Sequence, residues 1–127
     1  MMDISSGFRG NFRTLTLSGQ FWRQEDMDML ETYVSACVKA RRPWVVLDLE
    51  GLSFVNSQGL GLFVRMHRWC SEVGGRFILF QPRSSVCDVI EISDLRKFIA
   101  VADTAAELDA LCAGFGGGDG GPSVTAP

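Results

Sequence analysis

The stretch FVNSQGLGL, residues 54–62, brings together Asn56, Ser57, Gln58, Gly59 and Gly61 between a strongly apolar run and a helix-like run. Asparagine caps helices well, because its side-chain oxygen accepts from a free amide of the first turn. Ser57 then stands at the entry of the helix, where free N–H groups and the helix dipole favour an anion. A phosphate on that hydroxyl would suit the position and add ~1.5–2 negative charges. Two glycines in the first turns work against the helix, each costing up to ~1 kcal/mol relative to alanine. They mark either a tight strand–helix junction that needs glycine for packing, or a bare backbone that lets another protein's active site reach the serine.

Catalysis by the chain itself finds no support in the residues. His67, the only histidine, lies ten residues beyond Ser57, roughly 15 Å along the same helix at ~1.5 Å per residue, too far to activate the hydroxyl. Gly59-Leu60-Gly61 is followed by Val64 where a dinucleotide loop needs glycine, and no lysine of a phosphate loop follows. Asp48 and Glu50 flank Leu49 on one side of a strand, a structural or partner-facing pair. The cysteines, Cys37, Cys70, Cys87 and Cys112, form no C-x-x-C pair and read as reduced, buried thiols on helices. A zinc site is poorly supported, and no cofactor is expected.

The elements that position Ser57 can be read from periodicity. Residues 2–9 and 12–18 alternate as strands, with Gly10-Asn11 as a hairpin turn. Residues 25–41 form an amphipathic helix, with acids opening it and basic residues closing it before Pro43. WVVLDL, residues 44–49, is a strand covered on both faces. A helix over 57–73 ends at Gly74-Gly75, and RFILF (76–80) is a second buried strand. A helix over 84–92, a strand over 98–101 and a helix over 104–112 complete the alternation, with Thr104 and Glu107 at capping-box spacing. From residue 113 the composition changes to six glycines and two prolines in fifteen residues, so 113–127 is expected to be a disordered tail. Residues 1–112 make one α/β domain: a small mixed sheet of about four to five strands flanked by about four helices.

Composition limits the partners. The 127 residues are 46% hydrophobic and 21% charged, with a net charge of −3 and no basic stripe, which argues against nucleic acid. No apolar run nears the ~20 residues that span a bilayer, and the N-terminus lacks the apolar core of a signal peptide. A cytoplasmic protein, monomeric or weakly dimeric, is expected.

The block VVLDLEGLSFVNSQGLGLFVRMHRWCSEVGGRFILF resembles the central part of STAS domains, the sulfate-transporter and anti-sigma-factor-antagonist domains. In that family an apolar strand ending in D-L precedes an apolar-x-D-S-[SA]-G-[LI]-x-x-L motif, a helix, G-G-x-L and a further strand. The likeness extends weakly over residues 8–112. It implies a non-enzymatic anti-sigma factor antagonist. In the stand-alone bacterial members, an anti-sigma factor with ATP-dependent serine kinase activity phosphorylates the motif serine, and a serine phosphatase reverses this. The unphosphorylated form binds the anti-sigma factor. By position Ser57 matches that serine, while Gly59, Leu60 and Phe63 match the glycine and apolar positions that follow it. Two residues depart from the motif: Asn56 replaces the aspartate, and Gln58 the second small residue. Loss of the carboxylate leaves a second possibility, a STAS subunit that binds an ATPase, transporter or signalling assembly without being phosphorylated.

The helix after Ser57 has two apolar stripes. Leu60, Phe63, Val64, His67 and Cys70 form one; Leu62, Met66, Trp69 and Val73 form the other. A helix on a sheet needs only one. The second is covered by a neighbouring helix or is a docking patch, so Leu62, Met66 and Trp69, with Trp22 in a loop, are the candidate partner-binding residues.

Overall fold

A computed structural model describes residues 2–113 of the chain. In order, the elements are β1 (Met2–Arg9), β2 (Phe12–Phe21), α1 (Gln24–Lys39), β3 (Trp44–Val55), α2 (Ser57–Glu72), β4 (Arg76–Phe80), α3 (Ser84–Ile92), a 3₁₀ turn (Leu95–Lys97), β5 (Ala100–Ala102) and α4 (Ala105–Ala113). The five strands form one mixed sheet in the order β1-β2-β3-β4-β5, antiparallel between β1 and β2 and parallel elsewhere. The α/β class and the mixed sheet flanked by helices are those read from the sequence. Apart from Ala113, which closes α4, the predicted tail lies outside the described residues.

Local chemistry is plain at two junctions. Gly10 takes φ +60° in the two-residue turn between β1 and β2, a positive value that primed hairpin turns need. At α4, Thr104 Oγ1 accepts from the Glu107 amide at 3.2 Å, and Glu107 reaches back to accept from the Asp103 amide at 2.8 Å. The parallel strands are buried on both faces, which explains the continuous apolar runs. Leu15, Val45, Leu47 and Phe77 face a core shared with Leu30 and Val34 of α1, Leu62, Phe63 and Met66 of α2, and Val86 and Ile90 of α3. Phe12, Val46, Ile78, Phe80 and Ala102 face a smaller core closed by Leu108 of α4.

The central strands outrun their sequence signals. β2 continues past residue 18 to Phe21, and β3 past residue 49 to Val55. The extension is irregular: Thr16 pairs with Asp48 but Ser18 with Gly51, and Gly19 pairs with Leu52 but Gln20 with Phe54. β3 therefore carries an extra residue at each of two bulges, which breaks strict alternation and hides the strand. Asp48 serves the first bulge, its Oδ1 accepting from the Glu50 amide at 3.1 Å. Ser53 serves the second, its hydroxyl donating to the Gly19 carbonyl at 3.0 Å. The final strand begins later than the predicted 98–101, because residues 95–97 form the 3₁₀ turn and Phe98 stays outside the sheet.

Candidate functional site

The extended ends of β2 and β3 deliver Ser57. Phe21 pairs with Val55, and the Asn56 amide donates to the Phe21 carbonyl at 3.3 Å. Asn56 keeps an extended backbone, φ −94° and ψ 177°, as an N-cap must. Its side-chain oxygen accepts from the Gly59 amide at 2.9 Å, and its carbonyl accepts from the Leu60 amide at 3.1 Å. Ser57 is thus the first residue of α2, and both it and Gln58 are exposed. The first turn carries no acidic residue to oppose a new negative charge.

The two glycines have different physical reasons. A β-carbon on Gly59 would lie 2.6 Å from Val55 Cγ2 and 2.9 Å from Phe21 Cδ2. The Phe21 ring is itself stacked on Phe63, with centroids 5.7 Å apart, so it has little room to retreat. Gly59 is a packing requirement of the strand–helix junction. A β-carbon on Gly61 would meet nothing within 4 Å. Gly61 is exposed and stands four residues after Ser57, on the same helix face, and a side chain there would lean back towards the serine. Its absence leaves the approach to Ser57 open.

Two candidate docking residues need correction. Leu62 and Met66 are fully buried, and Trp69 is half-buried against the same core. The reason is tertiary: α1 packs along α2, and the Glu31–Arg65 ion pair at 3.4 Å spans the two helices. The second stripe is therefore mostly core and not a docking patch, with Val73 at its end left exposed. What α2 presents to solvent is Ser57, Gln58, Gly61, Arg65, Arg68, Ser71 and Glu72, a polar face with two arginines along it and one acid at its end.

Trp22 does lie on the surface, 48% exposed, one residue beyond β2. Phe54, 47% exposed, precedes Val55 on β3. The two aromatics thus adjoin the Phe21–Val55 pair from which α2 departs. Sequence reasoning does not single out Phe54. Its readable signal is strand parity: Val55 faces the core, so Phe54 faces away.

Other reactive groups stand apart from Ser57 or are suppressed. His67 sits in the second half of α2, its pKa held below 6.5 by burial and secondarily by the Arg76 charge. All four cysteines are free; burial pushes the Cys70 thiol up to about 12 and raises Cys37. Among the described residues, no three His, Cys, Asp or Glu side chains converge as metal ligands would. Nor is any described helix long and apolar enough to cross a membrane.

The site can be set beside known proteins. The STAS domain family model matches residues 9–108. The anti-sigma F factor antagonist of Lysinibacillus sphaericus is 34% identical over 65 residues, covering 51% of this chain and 56% of that relative. The chain spans about half the length of the curated relatives it matches. Among solved structures, the anti-sigma factor antagonist SpoIIAA in its unphosphorylated form matches with a TM-score of 0.70 at 23% identity, over 92% of this chain and 100% of that one. The Bacillus cell fate determinant SpoIIAA in its phosphorylated form gives 0.67 at 20% identity, over 87% and 100%. The structural likenesses agree on the fold, and with the family model matching most of its length, the chain belongs to the STAS domain family.

Proposed function

We propose that this protein is an anti-sigma factor antagonist switched at Ser57. Its unmodified form binds an anti-sigma factor that is also an ATP-dependent serine kinase. Phosphorylation ends that binding, and a serine phosphatase restores it. In the transfer, the Ser57 oxygen attacks the γ-phosphorus of the kinase's ATP, ADP leaves, and the hydroxyl proton passes to a base on the kinase. The base belongs to the kinase, and this chain acts by presenting the serine in the cytoplasm.

The observation that carries the reading is how Ser57 is held. It is exposed at the first position of a capped helix, beside a glycine that packing does not require. Asn56 takes the Gly59 amide, leaving those of Ser57 and Gln58 without a partner among the described residues and free for a phosphate. Trp22 and Phe54 offer apolar contact close by. The name of the curated relative and the solved phosphorylated form of SpoIIAA support the same reading.

Asn56 favours a second reading, a binding-only subunit of an ATPase, transporter or signalling assembly. Its amide oxygen caps the helix but offers no carboxylate to orient the hydroxyl. Incubation with the cognate kinase and ATP, read by intact mass, tests the switch. One added phosphate, absent in Ser57→Ala, supports it. A kinase that binds the chain yet phosphorylates neither the natural protein nor Asn56→Asp establishes the second reading.

A further inference from the structure

β1 forms one edge of the sheet, and among the described residues no chain pairs with its outer side. Natural edge strands are blunted by shortness, proline, lysine or bulges. β5, at the other edge, has three residues. β1 has eight, with neither proline nor lysine, and pairs with β2 without a register break. Its charges stand near its ends, at Asp3 and Arg9, around the uncharged Ile4-Ser5-Ser6-Gly7-Phe8.

The hairpin fixes which backbone groups point outward. Across a two-residue turn, the closing pair, here Arg9 and Phe12, exchanges both hydrogen bonds. Alternation then turns the N–H and C=O groups of Asp3, Ser5, Gly7 and Arg9 towards β2, and those of Ile4, Ser6 and Phe8 away from it. A second copy approaching antiparallel must match outward residues with outward residues. Centred on Ser6, it pairs Ser6 with Ser6, Ile4 with Phe8, and Asp3 with Arg9. Centring on Ser5 or Gly7 keeps the ladder in phase but leaves both charges unmatched. The strand is complementary to itself in one register.

The side chains agree with that register. Phe8 is 62% exposed, and Ile4 lies partly buried on the same face as α1. The second copy's Ile4 would cover Phe8. Phe8 continues into a groove lined by Tyr33, Cys37 and Ala40. Arg9 binds Asp109 through Nε and Nη2, at 3.2 and 2.7 Å, which leaves Nη1 for the second copy's Asp3. Arg13, whose Nη1 donates to Ser6 Oγ at 2.6 Å, brings two like charges near the axis and keeps the pairing reversible.

We propose that β1 is a homodimer edge, where two copies join antiparallel about a two-fold axis at Ser6 and continue one sheet through both. The proposal is independent of phosphorylation at Ser57. It is tested on the full chain by sedimentation equilibrium and amide hydrogen exchange across a concentration series. A dimer should form as concentration rises, with the Ile4, Ser6 and Phe8 amides becoming protected. The amides of Ser5, Gly7 and Arg9 should be protected at every concentration. Ser6→Pro removes an outward donor without touching the β1–β2 ladder, and should raise the dissociation constant by about tenfold or more. Asp3→Arg and Arg9→Asp should each weaken the homodimer, and an equimolar mixture of the two should regain the natural affinity as a heterodimer. Melting temperatures identify any variant that fails to fold, and the charge pair tests the register without a proline. A monomer at every concentration, or a dimer indifferent to all three changes, overturns the proposal. So does protection of Ile4, Ser6 and Phe8 that does not depend on concentration, which would mean another segment of the chain covers the edge.

Discussion

Gly59 lies so close to Val55 that a β-carbon on the glycine would stand 2.6 Å from the valine Cγ2. The last residue of β3 therefore sets how α2 leaves the sheet, and Ser57 inherits its position from that contact. Gly59→Ala must shift Val55 or the stacked Phe21 and should lose about 1–3 kcal/mol, by chemical denaturation, reduced by the alanine's better helix propensity. Gly61→Ala meets open space and should gain up to ~1 kcal/mol. The same Gly61→Ala should slow phosphorylation of Ser57, because it adds a methyl to the exposed face through which the kinase approaches. A kinase rate unchanged by Gly61→Ala would show that the bare backbone serves no access.

Asn56 separates the cap from the chemistry. Asn56→Ala should cost about 1 kcal/mol through loss of the bond to the Gly59 amide. Asn56→Asp keeps the cap and adds a carboxylate, so stability should hold while single-turnover phosphorylation speeds up.

Ser57→Asp should fold normally and lose its partner. An acid in the first turn interacts favourably with the helix dipole, by ~0.3–1 kcal/mol, so the melting temperature should hold or rise. At an interface built around an uncharged hydroxyl, the new charge should weaken kinase binding about a hundredfold or more, measured by calorimetry.

Met66 and Trp22 should respond in opposite ways. Met66→Ala empties a fully buried position and should cost about 2–5 kcal/mol. Trp22→Ala and Phe54→Ala remove exposed rings, leave stability nearly unchanged, and should weaken binding to the anti-sigma factor.

His67 makes stability depend on pH. Burial and the Arg76 charge hold its pKa below 6.5, so the folded state takes up this proton less readily than the unfolded chain. The stability associated with the neutral ring is fully present above pH 6.5 and is lost as pH falls through the lower folded value. Denaturation from about pH 8 to about pH 5 should show the natural protein losing more stability than His67→Gln.

The sequence by itself determined the elements whose residue pattern is strong and local. VVLDL read as a strand because it is a short, β-branched apolar run, and residues 57–73 as a helix because their apolar positions follow the helical repeat. Asn56 read as a cap because capping is local chemistry, and the bond to Gly59 lies within one helical turn. What lay between elements needed the tertiary structure. The second stripe of α2 carries no mark of what covers it; Leu62 and Met66 lie in one core with Leu30 and Val34 of α1, some thirty residues earlier in the chain. Both glycines cost the helix the same, and only the approach of Val55 and Phe21 separates the one the core requires from the one it does not. The bulged ends of β2 and β3 were illegible for the same reason: their register belongs to the pairing of two strands and is written in neither alone.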